Sequence, residues 1–211
     1  MITRHAQVAV WPRATIYRPM TSSRIIMLEM IYADHAPGVT WYFGAFADKT
    51  YNFCGRITHM KLFYHDTTIG RIGIAENTDC ISNLYFATDA TLLNVELQET
   101  SVIKEAFRQL ESYLAGDLKI FTIPLAPYGT DFMRSVWIIL RDIPYGKTAS
   151  YKEIASAVGN PKAMRAVGMA NNRNPIPIFI PCHRIIGSDG KLVGYRGGLE
   201  LKRELLELEK Q

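Results

Sequence analysis

The sequence predicts an α+β protein: an N-terminal α/β domain with a small antiparallel sheet, followed by a mainly helical C-terminal domain that contains a helix-turn-helix. In residues 60–86, short apolar runs alternate with turn-forming residues, which is typical of an antiparallel meander. In residues 130–171, helix-start and helix-stop signals follow one another with very short connections. We therefore expect one domain at residues 60–123 and a second at residues 124–211.

The composition is ordinary for a globular protein. Of the 211 residues, 48% are hydrophobic and 21% are charged, which is enough to build one large or two small cores. No apolar run approaches the ~20 residues that a membrane span needs. The three cysteines show no CxxC spacing, which argues against a disulfide framework and against a zinc site. We expect a cytoplasmic protein that does not bind membranes.

Residues 1–59 show no sustained period of 2 or 3.6 residues, whereas the pattern becomes regular from Met60 onward. Several arginines precede the first acidic residue, Glu29, as in some organelle-targeting peptides. We favour a simpler interpretation, in which residues 1–59 are an upstream extension or the start is mis-assigned. A chain that begins at Met60 is then expected to fold fully.

The N-terminal domain is predicted from three strands and one helix. The strand signals lie at residues 61–65, 71–75 and 80–86, each bounded by turn-forming residues. Residues 101–115 carry apolar side chains at helical spacing, and Gly116 follows them as a stop. We expect this amphipathic helix to cover one face of the sheet.

The C-terminal domain opens with well-marked helix starts. Residues 121–129 are rich in proline and glycine, so we place the link between the domains there. Thr130 is the predicted N-cap of the next helix. Ser150 and Glu153 have the spacing of a capping box, and Gly159 ends the helix that they begin.

An Asn-Pro pair at residues 160–161 predicts a further helix at once, over about residues 161–171. Two helices across so short a turn predict a helix-turn-helix. Met164 and Val167 suit its core side, and the rest of its surface is small except for Arg165. Small residues permit either tight helix packing or close approach to DNA. Because the segment follows a helix-turn-helix turn, we favour DNA contact.

Positive charge is concentrated in the same region, although the net charge of the chain is only +4. Six basic residues face a single acidic residue, Asp189, between residues 162 and 196. The six are Lys162, Arg165, Arg173, Arg184, Lys191 and Arg196. A solvated basic face and a phosphate-binding surface both fit this pattern, and charge alone does not decide between them.

The segment of residues 174–184 predicts a reactive centre. Its three prolines favour a stiff, extended arm that ends in Cys182, His183 and Arg184. A cysteine in an apolar segment is usually inert, but the two basic neighbours could favour a thiolate nucleophile. Side chains adjacent on an extended segment point to opposite faces. We therefore expect His183 to act through a water, oriented by a carboxylate.

A final helix is predicted over residues 199–208, after a glycine-rich loop. Glu207 and Glu209 stand at its C-terminal end, where acidic side chains oppose the helix dipole at a cost of ~0.3–1 kcal/mol each when exposed. One of these two carboxylates is therefore expected to have another role.

The motif Pro181-Cys182-His183-Arg184, preceded by Asn174-Pro-Ile-Pro, resembles the active-site signature of the O6-alkylguanine-DNA alkyltransferases, also called methylated-DNA–protein-cysteine methyltransferases. The resemblance extends from about residue 125 to Glu209 and covers essentially all of the second domain. It implies a ribonuclease-H-like N-terminal domain at residues 60–123 and a winged-helix-like, DNA-binding and alkyl-acceptor domain at residues 124–211. No part of residues 1–59 matches.

The resemblance implies DNA repair by direct, irreversible and stoichiometric transfer of an alkyl group from O6-alkylguanine, and from O4-alkylthymine, to Cys182. His183 resembles the histidine that relays the thiol proton through water, and Glu209 resembles the carboxylate that orients it. Tyr151 resembles the tyrosine that faces the purine and supplies a proton to the leaving guanine. No cofactor or metal is implied, because the thiolate is itself consumed.

The same resemblance implies contacts with double-stranded DNA from the minor groove. Arg165 resembles the arginine that fills the space of the flipped-out nucleotide, and the small Ala163 and Ala166 allow close approach. Asn174 resembles the asparagine that ties the turn to the active-site arm. The base itself is expected to meet four groups: the ring of Tyr195, the backbone N–H of Arg196, and the carbonyls of Cys182 and Ile185.

Two features of this sequence differ from those of some members of the family. Cys54, Cys80, His59 and His65 do not reproduce the zinc-binding pattern found in some of them, so no zinc is expected. Asn171 and Asn172 are more polar than their counterparts, which leaves the accepted alkyl size open.

Three other functions are weaker alternatives to DNA repair: a lesion sensor, a Cys-His hydrolase and a transcription regulator. We expect a monomer without an obligate protein partner.

Overall fold

A four-stranded sheet forms the N-terminal part of the computed structural model, which describes residues 60–89 and 95–211. Its strands are β1 Lys61–Thr67, β2 Gly70–Asn77, β3 Cys80–Phe86 and β4 Glu96–Leu97. They lie side by side in the order β3-β2-β1-β4. The predictions for residues 1–59 lie outside the described residues.

The meander predicted for residues 60–86 is confirmed, but the sheet as a whole is mixed. β1, β2 and β3 pair in antiparallel fashion. Thr78 and Asp79 turn the chain between β2 and β3 with φ of 53° and 59°, the left-handed geometry of a tight hairpin. β4 pairs with β1 in parallel, so the prediction of an antiparallel sheet is wrong at this edge. A strand of two residues carries no readable period.

Helix α1, Ser101–Leu114, packs on the sheet as predicted. Thr100 caps it by accepting a hydrogen bond from the N–H of Ile103 at 3.1 Å. Its buried face belongs to the same core as the inner side chains of the strands. Tyr113, in the last turn, has no solvent exposure and is the side chain that this helix contributes to the site described below.

The C-terminal part is mainly helical, as predicted. Its elements are α2 Asp131–Arg141, β5 Ala149–Ser150, α3 Tyr151–Ala157, α4 Met164–Asn172, a 3₁₀ turn at Cys182–Arg184, β6 Ile185–Ile186 and α5 Gly198–Leu208. Thr130 caps α2, and Ser150 and Glu153 form a reciprocal capping box at α3, so both predicted helix starts are confirmed. β5 pairs with β6 in parallel, which brings the start of α3 beside the residues that follow Cys182.

Helix α4 begins at Met164 rather than at residue 161, so the predicted start was wrong. The reason is a turn that uses the same Asn-Pro pair. Asn160 accepts the N–H of Lys162 on its side chain at 3.3 Å and the N–H of Ala163 on its carbonyl at 2.9 Å. Met164, which was predicted to face the core, is 46% exposed, whereas Val167 is buried as predicted.

The segment of residues 174–184 is a closed loop rather than an extended arm, which corrects the prediction. Asn174 closes it by accepting the N–H of Ile176 at 3.0 Å and donating to the carbonyl of Ile180 at 2.9 Å. Ile178 has a φ of 74°, a costly conformation for a β-branched residue. Cys182 then opens the 3₁₀ turn. A buried amide that satisfies both ends of the loop overrides the extended preference that the prolines create.

Buried residues of the sheet, α1, α2, α4 and the loop of residues 174–184 form one hydrophobic cluster. The division of the chain between residues 123 and 124 remains a prediction. In the described parts of the chain, no helix combines the length and the apolar character needed to cross a bilayer.

Candidate active site

Glu209 is a buried carboxylate that binds four groups from distant parts of the chain. Its Oε1 accepts from Tyr113 Oη at 2.6 Å and lies 2.9 Å from Nε2 of His183. Arg184 donates to Oε2 from Nε at 2.9 Å and to Oε1 from Nη2 at 2.8 Å. The N–H of Gly146 completes the set at 3.0 Å. Of the two helix-end carboxylates for which the sequence predicted another role, Glu209 is therefore the one at the centre of a buried polar network.

The charges of this network follow from its hydrogen bonds. Burial alone would raise the pKa of Glu209, but hydrogen bonds from His183 and Arg184 hold that pKa far below its usual value. Burial also lowers the pKa of His183, and Glu209 only partly opposes this. Because an ionised carboxylate can only accept, the proton of the neutral imidazole sits on Nε2. Its Nδ1 is thereby left with a free lone pair.

Cys182 is a buried, protonated thiol at rest. It is 3% exposed, and burial raises the pKa of the thiol to about 11, although Asn174 and Lys202 act in the opposite direction. The expectation that His183 and Arg184 favour a thiolate is wrong, because both side chains bind Glu209. A nucleophilic role therefore requires a base that removes the thiol proton.

Unpartnered polar atoms gather around this thiol. Within residues 60–89 and 95–211, the buried side-chain atoms that lack a hydrogen-bond partner are Oδ1 of Asn171, Nδ1 of His183 and the hydroxyl of Tyr195. Asn171 Nδ2 lies 3.5 Å from the carbonyl oxygen of Cys182. The ring of Tyr195 stands edge-on to that of His183, with the centroids 6.4 Å apart. Buried polar groups are normally satisfied, so such a cluster is typical of a site that binds a ligand.

Tyr151 belongs to the same region. It is the first residue of α3 and is partly buried. Burial raises the pKa of its phenol, and the Cys182 thiolate adds to the rise, while a hydrogen bond with Asn171 opposes it. At neutral pH the phenol is therefore protonated and can donate a proton.

The side chain of Arg196 fixes the loop that carries it. Its guanidinium binds the carboxylate of Asp89 at 2.6 Å, the carbonyl of Leu84 at 3.2 Å and the carbonyl of Asn174 at 3.4 Å. The sequence singled out only the backbone N–H of Arg196. Asp89 carries no motif and lies 107 positions away, so no local signal could have revealed the pairing.

Lys202 is a second residue whose role the sequence did not reveal. Its side chain has no solvent exposure, and Nζ donates to the carbonyls of Ile185 at 2.5 Å and Val193 at 2.8 Å. Burial lowers its pKa to about 8. A lysine on the apolar face of α5 was the available signal. Lys202 connects the loop after Cys182 to the final helix through these hydrogen bonds.

The remaining predicted residues lie on or near the surface of α4. Arg165 and Ala166 are exposed, and Ala163 is the half-buried N-cap residue. Lys162 and Arg173 are exposed beside them, whereas Arg184 and Arg196 are engaged in internal ion pairs. Of the two asparagines noted in the sequence, Asn172 is exposed and Asn171 is buried.

No group of three or more His, Cys, Asp or Glu side chains is arranged to hold a metal ion in the described part of the chain. The chemistry that this arrangement supports is nucleophilic: a buried thiol, a neutral imidazole with a free Nδ1, a carboxylate that fixes that imidazole, and a protonated phenol. An exposed helix with an arginine and small residues lies in the same part of the fold.

Two family models match the chain. Residues 60–127 match the ribonuclease-like domain of 6-O-methylguanine DNA methyltransferase, and residues 131–211 match its DNA-binding domain. A methylated-DNA–protein-cysteine methyltransferase of Methanosarcina barkeri is 50% identical over 147 residues, which are 68% of this chain and 93% of the relative. A constitutive one of Bacillus subtilis is 46% identical over 152 residues, covering 69% and 92% of the two chains.

Solved structures agree with the sequence comparisons. The crystal structure of Mycobacterium tuberculosis OGT in complex with DNA superposes with a TM-score of 0.68 at 44% identity, covering 71% of this chain and 92% of that one. O6-methylguanine-DNA methyltransferase from the archaeon Pyrococcus kodakaraensis superposes with a TM-score of 0.56 at 25% identity and covers 70% of this chain. The predicted resemblance is confirmed: the chain belongs to the methylated-DNA–protein-cysteine methyltransferase family.

Proposed function

We propose that this protein repairs DNA by moving the alkyl group of O6-alkylguanine in a duplex onto Sγ of Cys182, once per molecule. The observation that carries the proposal is the set of unpartnered polar atoms beside a buried thiol, with the imidazole of His183 held by Glu209. The proposal is supported by the relatives, which are named methylated-DNA–protein-cysteine methyltransferases and of which this chain spans more than nine-tenths of the length in two cases.

The transfer is a single displacement. The proton of Cys182 passes through one bridging water to Nδ1 of His183, whose Nε2–H stays on Glu209. The thiolate attacks the alkyl carbon in line with the C–O6 bond, so that an S–C bond forms as the C–O bond breaks. Guanine leaves with the electron pair and takes a proton from the phenol of Tyr151. The proton held by His183 then returns to the Tyr151 phenolate. The net reaction moves one alkyl group from oxygen to sulfur and one proton from the thiol to guanine, and it needs no cofactor.

The reaction stops after one turnover because the product is a thioether. A carbon–sulfur bond of this kind has no acidic proton and a poor leaving group, so water does not reverse it. The transferred alkyl group also occupies the buried space next to the thiol, where Cys182 is 3% exposed. We therefore propose stoichiometric rather than catalytic repair.

Duplex DNA is bound by α4 from the minor groove. The exposed Arg165 enters the space vacated by the flipped nucleotide, and Ala163 and Ala166 allow the helix to approach the backbone closely. Lys162 and Arg173 contribute phosphate contacts. Extrusion of the base costs a few kcal/mol, least for a damaged base whose pairing is already weakened.

The flipped base enters beside Tyr195, between the backbone N–H of Arg196 and the carbonyls of Cys182 and Ile185. Asn174 holds the loop that carries the cysteine by bonding both Ile176 and Ile180. O4-alkylthymine presents an equivalent alkyl–oxygen bond and is proposed as a second substrate. We place the protein in the cytoplasm as a monomer, with a ribonuclease-H-like part at residues 60–123 and a winged-helix-like part at residues 124–211.

The direct test of this proposal measures the alkylated base in the DNA rather than a change in the protein. A duplex with one O6-methylguanine is incubated with increasing amounts of protein, and the hydrolysed DNA is separated by liquid chromatography. We expect O6-methylguanine to convert to guanine in a one-to-one ratio with added protein. Conversion of many bases per molecule, or release of the methyl group as methanol, would contradict the proposal.

A further inference from the structure

Tyr113 is a buried phenol in the last turn of α1, a helix of the N-terminal part of the fold. It has no solvent exposure, and its ring packs against those of Phe121 and Tyr145, with centroid distances of 5.0 Å and 6.1 Å. Its hydroxyl donates to Oε1 of Glu209 at 2.6 Å and lies 3.3 Å from Nε2 of His183. The helix thus places one polar group next to both members of the His183–Glu209 pair.

Glu209 does not need the hydroxyl of Tyr113 to satisfy its carboxylate. A carboxylate has about four lone-pair sites. Arg184 and the N–H of Gly146 donate to Oε2 at 2.9 Å and 3.0 Å. Arg184 and His183 meet Oε1 at 2.8 Å and 2.9 Å. A phenylalanine would supply the same ring packing without a polar group to satisfy. The hydroxyl is therefore an additional donor, placed on the oxygen that bonds the imidazole.

An additional donor on Oε1 weakens the attraction of Glu209 for a proton on His183. A short hydrogen bond to an ionised oxygen draws negative charge from it, so that less of this charge stabilises an imidazolium. Tyr113 does not lose its own proton instead, because burial and the charge of Glu209 raise the pKa of the phenol. The hydroxyl therefore remains a donor throughout the neutral pH range.

We propose that Tyr113 is a positioning residue for alkyl transfer, whose hydroxyl keeps the imidazole of His183 neutral through its bond to Glu209. The neutral imidazole is the form whose Nδ1 takes the proton of Cys182, so Tyr113 extends the pH range of the reaction toward acid. The effect on transfer rests on the proposed function, whereas the effect on His183 is a property of the resting protein. A residue of the ribonuclease-like part thereby acts on the reaction centre of the DNA-binding part.

The other ionisable side chains around this pair come from the C-terminal part and stay in place when Tyr113 is changed. They are Cys182 and Arg184 of the 3₁₀ turn, Tyr145 after α2, Tyr195, and Lys202 of α5. Burial lowers the pKa of His183 most, the positive charges of Arg184 and Lys202 act in the same direction, and Glu209 opposes them. Loss of the Tyr113 hydroxyl strengthens only the opposing effect, so the pKa of His183 rises.

The first test is an NMR titration of His183 in the unmodified wild type and in Tyr113→Phe, with ¹⁵N-labelled histidine. The signal is assigned by its loss in His183→Gln. We expect the titration midpoint to rise by about one pH unit in Tyr113→Phe, the effect of one hydrogen bond. Tyr145→Phe is the matched control, since it removes a neighbouring hydroxyl that donates to the carbonyl of Leu208. It should leave the midpoint unchanged.

The second test is the pH profile of single-turnover transfer from a saturating duplex that contains one O6-methylguanine. In Tyr113→Phe the acid limb should move toward higher pH by about one unit, and the alkaline plateau should be kept. The midpoint of the limb does not depend on the amount of folded protein, and circular dichroism at each pH excludes acid unfolding as its cause. The control Tyr145→Phe should keep the wild-type profile.

An unchanged titration midpoint of His183 in Tyr113→Phe would overturn the proposal. So would a loss of stability with no movement of the acid limb, since that result would make the hydroxyl purely structural. If the wild type transferred no methyl group from any duplex, the proposed function would fail. The NMR titration would still decide whether Tyr113 sets the charge of His183, so the two failures are distinct.

Discussion

The imidazole of His183 lies 2.9 Å from the carboxylate of Glu209, and neither side chain is exposed to solvent. One residue follows the thiol, and the other caps the last helix. The pairing fixes the protonated nitrogen of His183 and leaves Nδ1 free to receive a proton. It also accounts for a carboxylate at a helix end where the backbone dipole disfavours it.

Replacing Glu209 with Gln should destabilise the protein strongly. The amide cannot neutralise Arg184, whose guanidinium is then a buried, unpaired charge. Removal of one partner of a buried ion pair costs about 3–5 kcal/mol. Urea unfolding of the wild type and the variant measures the difference. Glu207→Gln, at an exposed position two residues earlier, is the control and should change stability by less than about 0.5 kcal/mol. A similar small loss in Glu209→Gln would contradict the role of the network.

Stability should fall as the pH drops below about 6.5. The folded pKa of His183 is lowered by burial, so the unfolded chain binds the extra proton first and acid favours unfolding. Glu209 adds to this below pH 4.5, because its folded pKa is also depressed and its stabilising charge is lost only in acid. Thermal unfolding from pH 8 to pH 4 tests the sign. A melting temperature that rises between pH 6.5 and pH 5 would be the opposite of what the buried network requires.

The pH dependence of the methyl-transfer rate should be set by the ionisation of His183. The pKa of Cys182 is about 11, so the thiol is protonated throughout the range from pH 6.5 to pH 9 and depends on His183 as base. Because the pKa of His183 lies below 6.5, the single-turnover rate should be flat over that range and fall below it. His183→Gln should reduce the plateau by about 10²–10⁴-fold, the usual contribution of a general base. A rate that climbs tenfold per pH unit through neutrality would mean that the free thiolate reacts without the histidine.

Arg165→Ala should impair repair of duplex DNA far more than transfer from the free base O6-methylguanine. The guanidinium is exposed on α4, and its proposed role is only to hold a duplex with an extruded nucleotide, so the thiol chemistry should be left intact. Rates on the two substrates are compared in the variant and in Arg108→Ala, an arginine on α1 paired with Glu105. The control should match the wild type on both substrates. If Arg165→Ala lowered the transfer rate equally on duplex and on free base, Arg165 would have no role in DNA binding.

Asp89 and Arg196 should act as one unit in positioning the loop beside the thiol. Arg196→Ala keeps the backbone N–H proposed to meet the base but loses the bonds to Asp89, Leu84 and Asn174. Asp89→Asn weakens the same ion pair at its other partner, which follows strand β3. Each change should slow transfer by about tenfold, and the double variant should be no slower than either single one. Additive effects in this double-mutant cycle would mean that the two residues act separately.

Local chemistry explains which parts of the fold were predictable. Thr130, Ser150 and Glu153 act within one helical turn, so their capping roles are legible in the sequence and are confirmed. The start of α4 was misplaced because Asn160 can cap a helix or close a turn with equal ease. β4 has only two residues and no pattern of its own.

The site was predictable where its chemistry is local. Cys182 and His183 are adjacent. The acidic pair Glu207 and Glu209 at a helix end pointed to a special role for one of the two, and the family resemblance named Glu209. Tyr113 and Lys202 were missed, since an aromatic residue on an apolar helix face looks like core and a lysine looks like surface. Tyr113 meets Glu209 from 96 positions away, which only the tertiary fold brings about. The closed loop around Asn174 likewise depends on packing rather than on its prolines.

The most direct test of alkyl transfer to Cys182 is intact-protein mass spectrometry after incubation with a duplex that contains one O6-methylguanine. We predict a gain of one methyl group per molecule, saturating at one, and located by peptide mapping on the segment that carries Cys182. Cys182→Ala should gain no mass but still bind the damaged duplex, because the proposed binding surface on α4 is unchanged. A methyl group on another residue, or tight binding by the wild type with no gain in mass, would contradict the account.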